Sequence, residues 1–152
     1  MLPTPTRYYL TAGCAEGKSR LTAFDSALLN AGIGNVNLVR ISSILPPGAR
    51  YDPQIVLPRG SLVPTAYGCI ISDVPGELIA AAVGVAVAED GFGVIMEFAG
   101  KCPLEAARKA VDEMLDEAFA RRGLTAVEKK IEACAHRVVN TGCCLAAVPL
   151  WY

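Results

Sequence analysis

Apolar and polar positions alternate along much of this chain, and the pattern shifts to a spacing of three and four residues in two places, which predicts a strand-rich protein with two helices. Tyr8 to Ala12 reads as an opening strand. Phe24, Leu28 and Ala31 fall on one face at helical spacing, so Phe24 to Ala31 is a short helix stopped by Gly32. Val36 to Ile41 is a strand. Val63 to Ser72 and Leu78 to Ala88 are β-rich runs separated by the turn signal Asp73-Val74-Pro75-Gly76. The second run is alanine-rich and helical by propensity alone, but Val83, Val85 and Val87 alternate and favour a strand. Gly91 to Phe98 is another strand. Pro103 to Arg122 is the clearest helix: Pro103 suits the first position, Leu104, Ala107, Val111, Met114, Leu115 and Ala118 line one face, and Gly123 ends it. Ile131 to Val139 and Cys143 to Trp151 close the chain as strands around the turn Asn140-Thr141-Gly142. Two helices and about seven strands make a layered α/β or α+β sheet protein. Between them, the Pro/Gly-rich stretch from Pro46 to Gly60 is the one candidate linker, and a long loop inside a domain hints at function.

Composition narrows the classes. With 152 residues and 53% hydrophobic content the chain is one domain long and buries a substantial core. Only 19% of residues are charged, so there is more apolar surface than one small domain hides, and a tight homo-oligomer would cover it. A net charge of −1 with both signs interspersed gives no footprint for nucleic acid or an anionic membrane, and neither partner is expected. The N-terminal Met1-Leu2-Pro3-Thr4-Pro5-Thr6-Arg7 lacks the pattern of a signal peptide. The longest apolar stretch, Leu78 to Ala88, falls far short of the roughly 20 residues that span a bilayer. The expectation is a soluble cytoplasmic protein. The six cysteines (Cys14, Cys69, Cys102, Cys134, Cys143, Cys144) form no C-x-x-C pair, and their scatter suits buried free thiols in a reducing compartment. His136 is the only histidine, and no metal site is expected.

The candidate chemistry sits in Ile41-Ser42-Ser43-Ile44-Leu45-Pro46-Pro47. Two serines ahead of a proline pair are what a strand entering a surface loop looks like. They also allow a different event, in which a serine hydroxyl attacks the preceding carbonyl and moves the acyl group from nitrogen to oxygen. The ester then eliminates to dehydroalanine, which hydrolyses to a ketone. Together with Gly34-Asn35-Val36-Asn37-Leu38-Val39-Arg40 before it, this segment resembles the processing site of the pyruvoyl-dependent arginine decarboxylases. Phe24-Asp25-Ser26-Ala27-Leu28-Leu29-Asn30-Ala31-Gly32-Ile33-Gly34, Leu62-Val63-Pro64-Thr65-Ala66-Tyr67-Gly68, Ile70-Ile71-Ser72-Asp73-Val74-Pro75-Gly76, Met96-Glu97-Phe98 and Leu150-Trp151-Tyr152 are similar to that family in the same order.

The resemblance implies a single-domain α+β fold of four layers, an αββα sandwich, assembled as a trimer or a pair of trimers with active sites at subunit interfaces. It implies self-cleavage between Ser42 and Ser43 into fragments 1–42 and 43–152, with Ser43 becoming a pyruvoyl group. No metal and no pyridoxal phosphate would be needed. Arginine would then form a Schiff base with the pyruvoyl group and leave as agmatine and carbon dioxide. A pyruvoyl-dependent decarboxylase of another amino acid, such as histidine, is one alternative. An uncleaved, non-enzymatic oligomer of the same fold is the other.

Each supporting residue has two readings. Asn37 lies in the strand leading to the serines, where its amide either stabilises the oxyanion of the acyl shift, as in the family, or bonds a neighbouring loop. Glu97 is the only acidic residue from Gly91 to Gly100; flanked by Val94, Ile95, Met96 and Phe98, it is either a desolvated carboxyl of raised pKa or an edge-strand residue facing water. The resemblance makes it the catalytic acid. Asp25 fits a capping box with Thr22, whereas the family uses the aspartate here to grip a guanidinium with both oxygens. Leu21 and Leu28 would pack on the substrate's methylenes, or on the core. The family adds main-chain contacts near Gly34 and Val36.

Overall fold

The computed structural model describes all of residues 1–152. Its elements run β1 (Arg7–Tyr8), β2 (Thr11–Glu16), α1 (Arg20–Asn30), β3 (Asn37–Arg40), β4 (Ile44–Leu45), β5 (Arg50–Tyr51), β6 (Leu62–Ser72), β7 (Leu78–Ala88), β8 (Gly93–Gly100), α2 (Leu104–Arg121), β9 (Ala126–Arg137) and β10 (Gly142–Trp151). One sheet has the order β3-β6-β10-β1-β5, with β2 also paired to β10; the other has the order β4-β8-β7-β9. Between them lies a core that includes Ala66, Ile79, Val83, Ile95, Ala146 and Val148.

Small residues let the helices come close. β7 is alanine-rich, and its Ala80, Ala82 and Ala86 receive Ala107, Val111 and Leu115 of α2 on the outer face of the four-stranded sheet. At Gly84 a Cβ would stand 2.6 Å from Cγ1 of Val111, so only glycine lets α2 settle there. On the outer face of the other sheet, Ala23 and Ala27 of α1 pack against Cys143, Leu145 and Ala147 of β10. The result is two sheets face to face with one helix outside each, the α+β sandwich expected.

Several boundaries differ from the sequence reading, each for a physical reason. α1 begins at Arg20 because Ser19 is its N-cap: the Ser19 hydroxyl accepts from the Thr22 N–H at 3.2 Å, and the Thr22 hydroxyl accepts from the Ser19 N–H at 3.0 Å. The capping box therefore sits three residues before the one expected at Thr22 and Asp25. The opening strand is two strands, since β1 and β2 pair with successive stretches of β10. β9 starts at Ala126, where the charged Val127-Glu128-Lys129-Lys130 hides a strand. There Lys129 donates to Asp112 and Asp116 of α2 at 2.8 and 2.6 Å. The Pro/Gly-rich stretch contains β5, a two-residue strand parallel to β1.

No helix is long and apolar enough to cross a membrane. All six cysteines are free, but they are neither all buried nor scattered. Cys69 is exposed, and Cys14, Cys134 and Cys144 converge.

Candidate functional site

The Ser42–Ser43 peptide is where the chain passes from one sheet to the other. β3 runs parallel to β6 in the first sheet, and after three residues β4 pairs with β8 in the second. Both ends of the crossing are held. The Ile41 N–H donates to the Thr65 carbonyl of β6 at 3.1 Å, and the Ser43 carbonyl accepts from the Ile95 N–H of β8 at 2.7 Å. The linking peptide is thus fixed on both sides while Ser42 stays exposed and Ser43 half-buried. Beside it opens a largely apolar cleft of about 500 Å³, lined by Ser42, Ile41, Ile44, Leu150 and Tyr152 among others.

β8 carries Glu97 two residues beyond Ile95, hence on the same, inward face. Glu97 is half-buried against β6, where Gly68 leaves room for it: a Cβ at Gly68 would lie 3.3 Å from Cβ and Cγ of Glu97. Burial raises the carboxyl's pKa above the ordinary range, and the Arg40 charge opposes that rise without cancelling it. The solvent-facing reading of Glu97 is therefore wrong for this chain.

Arg40 was not singled out by the sequence reading. Its guanidinium lies 4.0 Å over the Tyr67 ring, and Tyr67 meets Phe24 of α1 with ring centroids 6.5 Å apart. The available signal was that Arg40 is the only charged residue from Gly32 to Gly48.

Asn37 occupies the first position of β3, and its side-chain amide donates to the Gly60 carbonyl at 3.2 Å. In the continuous chain the donor is thus engaged by a loop rather than by Ser43. Asp25 is exposed on α1 and makes no hydrogen bond or ion pair, since the cap it was suspected of forming belongs to Ser19 and Thr22. Leu21, four residues before it, is 74% exposed, and Leu28, three after it, is half-buried. The three form one stripe along the helix. Gly34 and Val36 lie between α1 and β3; a Cβ at Gly34 would stand 2.6 Å from Cδ2 of Leu29, which closes that position to any larger residue. Two groups of residues result: Ser42, Ser43 and Glu97 at the crossing, and Leu21, Asp25 and Leu28 on α1. Within one chain no hydrogen bond or ion pair joins Asp25 to the first group.

A sequence model described as pyruvoyl-dependent arginine decarboxylase matches residues 7–152. The pyruvoyl-dependent arginine decarboxylase of Methanocaldococcus jannaschii is 53% identical over 150 residues, covering 97% of this chain and 91% of that protein. Those of Methanococcus vannielii and Thermococcus kodakarensis are 45% identical over 97% of this chain and 43% identical over 84% of it, covering 92% and 83% of their own lengths. A half-buried glutamate beside an anchored Ser-Ser crossing, inside a match that spans both sheets, leaves one conclusion: this chain belongs to the pyruvoyl-dependent arginine decarboxylase family.

Proposed function

We propose that this chain cuts its own Ser42–Ser43 bond and then decarboxylates L-arginine to agmatine. The observation that carries the reading is the anchored crossing with Glu97 beside it, in a chain whose curated relatives bear that activity in their names. In the cut, the Ser43 hydroxyl attacks the Ser42 carbonyl and the peptide becomes an ester. Loss of the Ser43 Cα proton expels the Ser42 carboxylate, and addition of water releases ammonia and leaves a ketone at position 43. Asn37 assists if its amide leaves Gly60 for the oxyanion.

The residues of the site fit a pyruvoyl group, since its precursor serine is present at the crossing and half-buried beside an apolar cleft. That group supplies a ketone and a neighbouring amide carbonyl, an electron sink for the departing carboxylate. The chain's own residues do the rest. Glu97, its carboxyl raised above the ordinary range by burial, is placed to give the proton to the carbon that loses its carboxylate. Asp25 offers an unengaged carboxylate whose two oxygens match the fork of a guanidinium, with Leu21 and Leu28 along the methylenes. A guanidinium favours arginine over histidine as substrate, because an imidazolium cannot use both oxygens side by side.

The exposed stripe on α1 and the cleft at the crossing are proposed to meet across a boundary between copies, in a trimer or a pair of trimers. A mass spectrum of the denatured protein, paired with an agmatine assay, tests the reading. Fragments 1–42 and 43–152, the latter without a free amino group, together with agmatine release are expected. An intact, inactive chain would refute the reading.

A further inference from the structure

Cys14 on β2 and Cys144 on β10 are partners across an antiparallel pair, and Cys134 on β9 faces them from the other sheet. All three Sγ atoms lie within 4.8 Å of one another, with those of Cys14 and Cys144 2.6 Å apart. β2 and β9 are both outermost strands, so the cluster sits at an edge of the sandwich. Cys144 is buried, and the other two are half-buried. None of the three belongs to the residues placed around Ser43.

We propose that Cys14, Cys134 and Cys144 bind one thiophilic monovalent metal ion, and that Cu(I) is the ion they suit. Three convergent sulfurs exceed what a disulfide needs and match a trigonal thiolate site, for which soft ligands select Cu(I). With metal–sulfur bonds of about 2.3 Å, a trigonal ion needs its sulfurs about 4 Å apart. Cys14 and Cys144, now 2.6 Å apart, would have to turn away from each other to reach that separation. A structural zinc site takes four protein ligands. The ligand-type side chains two residues further along β2 and β9 are Glu16 and His136, and they hold each other at 2.5 Å. Glu16 is further occupied by the N–H groups of Asn140, Thr141 and Val139.

Binding replaces the thiol protons, which pass to water, and the ion stays Cu(I) throughout. Bound there, it ties β2 and β10 of one sheet to β9 of the other.

The test is an anaerobic titration of the reduced, purified protein with Cu(I) held by bicinchoninate, repeated for Cys134→Ser, Cys14→Ala and Cys69→Ala. One Cu(I) per chain should be withdrawn from the chelator. Affinity should fall by more than about 100-fold in the first two variants, beyond the usual loss for an outer-shell residue, and stay unchanged in Cys69→Ala. Should Cys134→Ser fail to fold, alkylation of the wild type answers the same question: one equivalent of Cu(I) should protect Cys14 and Cys134 from iodoacetamide and leave the exposed Cys69 reactive. No withdrawal of copper, uptake independent of Cys134, Zn(II) bound more tightly than Cu(I), or Cys14 and Cys144 found joined as a disulfide in the reduced preparation would each overturn the proposal.

Discussion

The Ile95 N–H donates to the Ser43 carbonyl at 2.7 Å, so strand β8 holds the Ser43 side of the peptide proposed to break, and its next inward residue is Glu97, the proposed acid. One strand thereby sets the position of both the proposed cofactor precursor and the proposed proton donor.

That anchor uses main-chain atoms only, and so does the bond from Ile41 to Thr65. Ser43→Ala should therefore fold with stability within about 0.5 kcal/mol of the uncut wild type, yet remain a single 152-residue chain. Mass spectrometry checks the cut, and thermal unfolding checks the fold. Cutting of the alanine variant at the same bond would rule out attack by the Ser43 hydroxyl.

Asp25 is free of structural duty, which separates its two possible losses. Asp25→Ala should leave both processing and melting temperature nearly unchanged. It should raise KM for arginine by roughly 30-fold or more, corresponding to about 2 kcal/mol for a charge-assisted bidentate contact. Steady-state kinetics beside a melting curve decide the matter, since a drop in stability with unaltered KM would return Asp25 to a helix role.

Glu97→Gln keeps the shape and removes the transferable proton. Agmatine formation should fall by about 10² to 10⁴ with a smaller change in arginine binding. Because the wild-type carboxyl is held above its ordinary range by burial, turnover should persist to higher pH than an exposed glutamate would allow and fall as the pH rises through that raised pKa. A pH–rate profile on fully processed enzyme measures this.

Glu16 gives a stability effect of opposite sign. Burial pushes its carboxyl up, but hydrogen bonds from the Asn140 main chain, His136 and the Val139 main chain bring it down to about 2. A carboxyl depressed in the folded state contributes stability above its unfolded pKa of about 4.5 and loses it as the pH falls through about 2. Urea midpoints of the wild type should drop across that window, whereas those of Glu16→Gln should start lower and stay flatter.

Period and punctuation made most of the fold legible. The alternating valines at 83, 85 and 87 identified β7 despite its alanines, and one face of apolar residues identified α2. What escaped depends on partners distant in sequence. β9 looks too charged for a strand until Asp112 and Asp116 of α2 are seen to neutralise Lys129. The start of α1 turned on a choice between two polar residues three apart, and Ser19 prevailed. The serine pair and Glu97 stand out because each interrupts an apolar run, but the roles proposed for them come from the family resemblance. Arg40 on Tyr67 and the three-sulfur cluster could not, because their members come from different strands brought together only by sheet pairing and the stacking of the two sheets.

A cut at the crossing between Ser42 and Ser43 would also leave every element of the four-stranded sheet on one fragment. Everything before it, β1, β2, α1 and β3, belongs to the six-stranded sheet and its covering helix, while the whole four-stranded sheet and α2 come after it. Cleavage would therefore turn a folded chain into a two-component complex, in which the short component is retained by its pairing with β5, β6 and β10, its packing on β10 and side-chain contacts such as Glu16 with His136. Unfolding of the cut form would then be a dissociation, dependent on concentration and difficult to reverse once the pieces part. Maturation by such a cut would exchange a one-chain folding equilibrium for an assembly that must be made before it is cut.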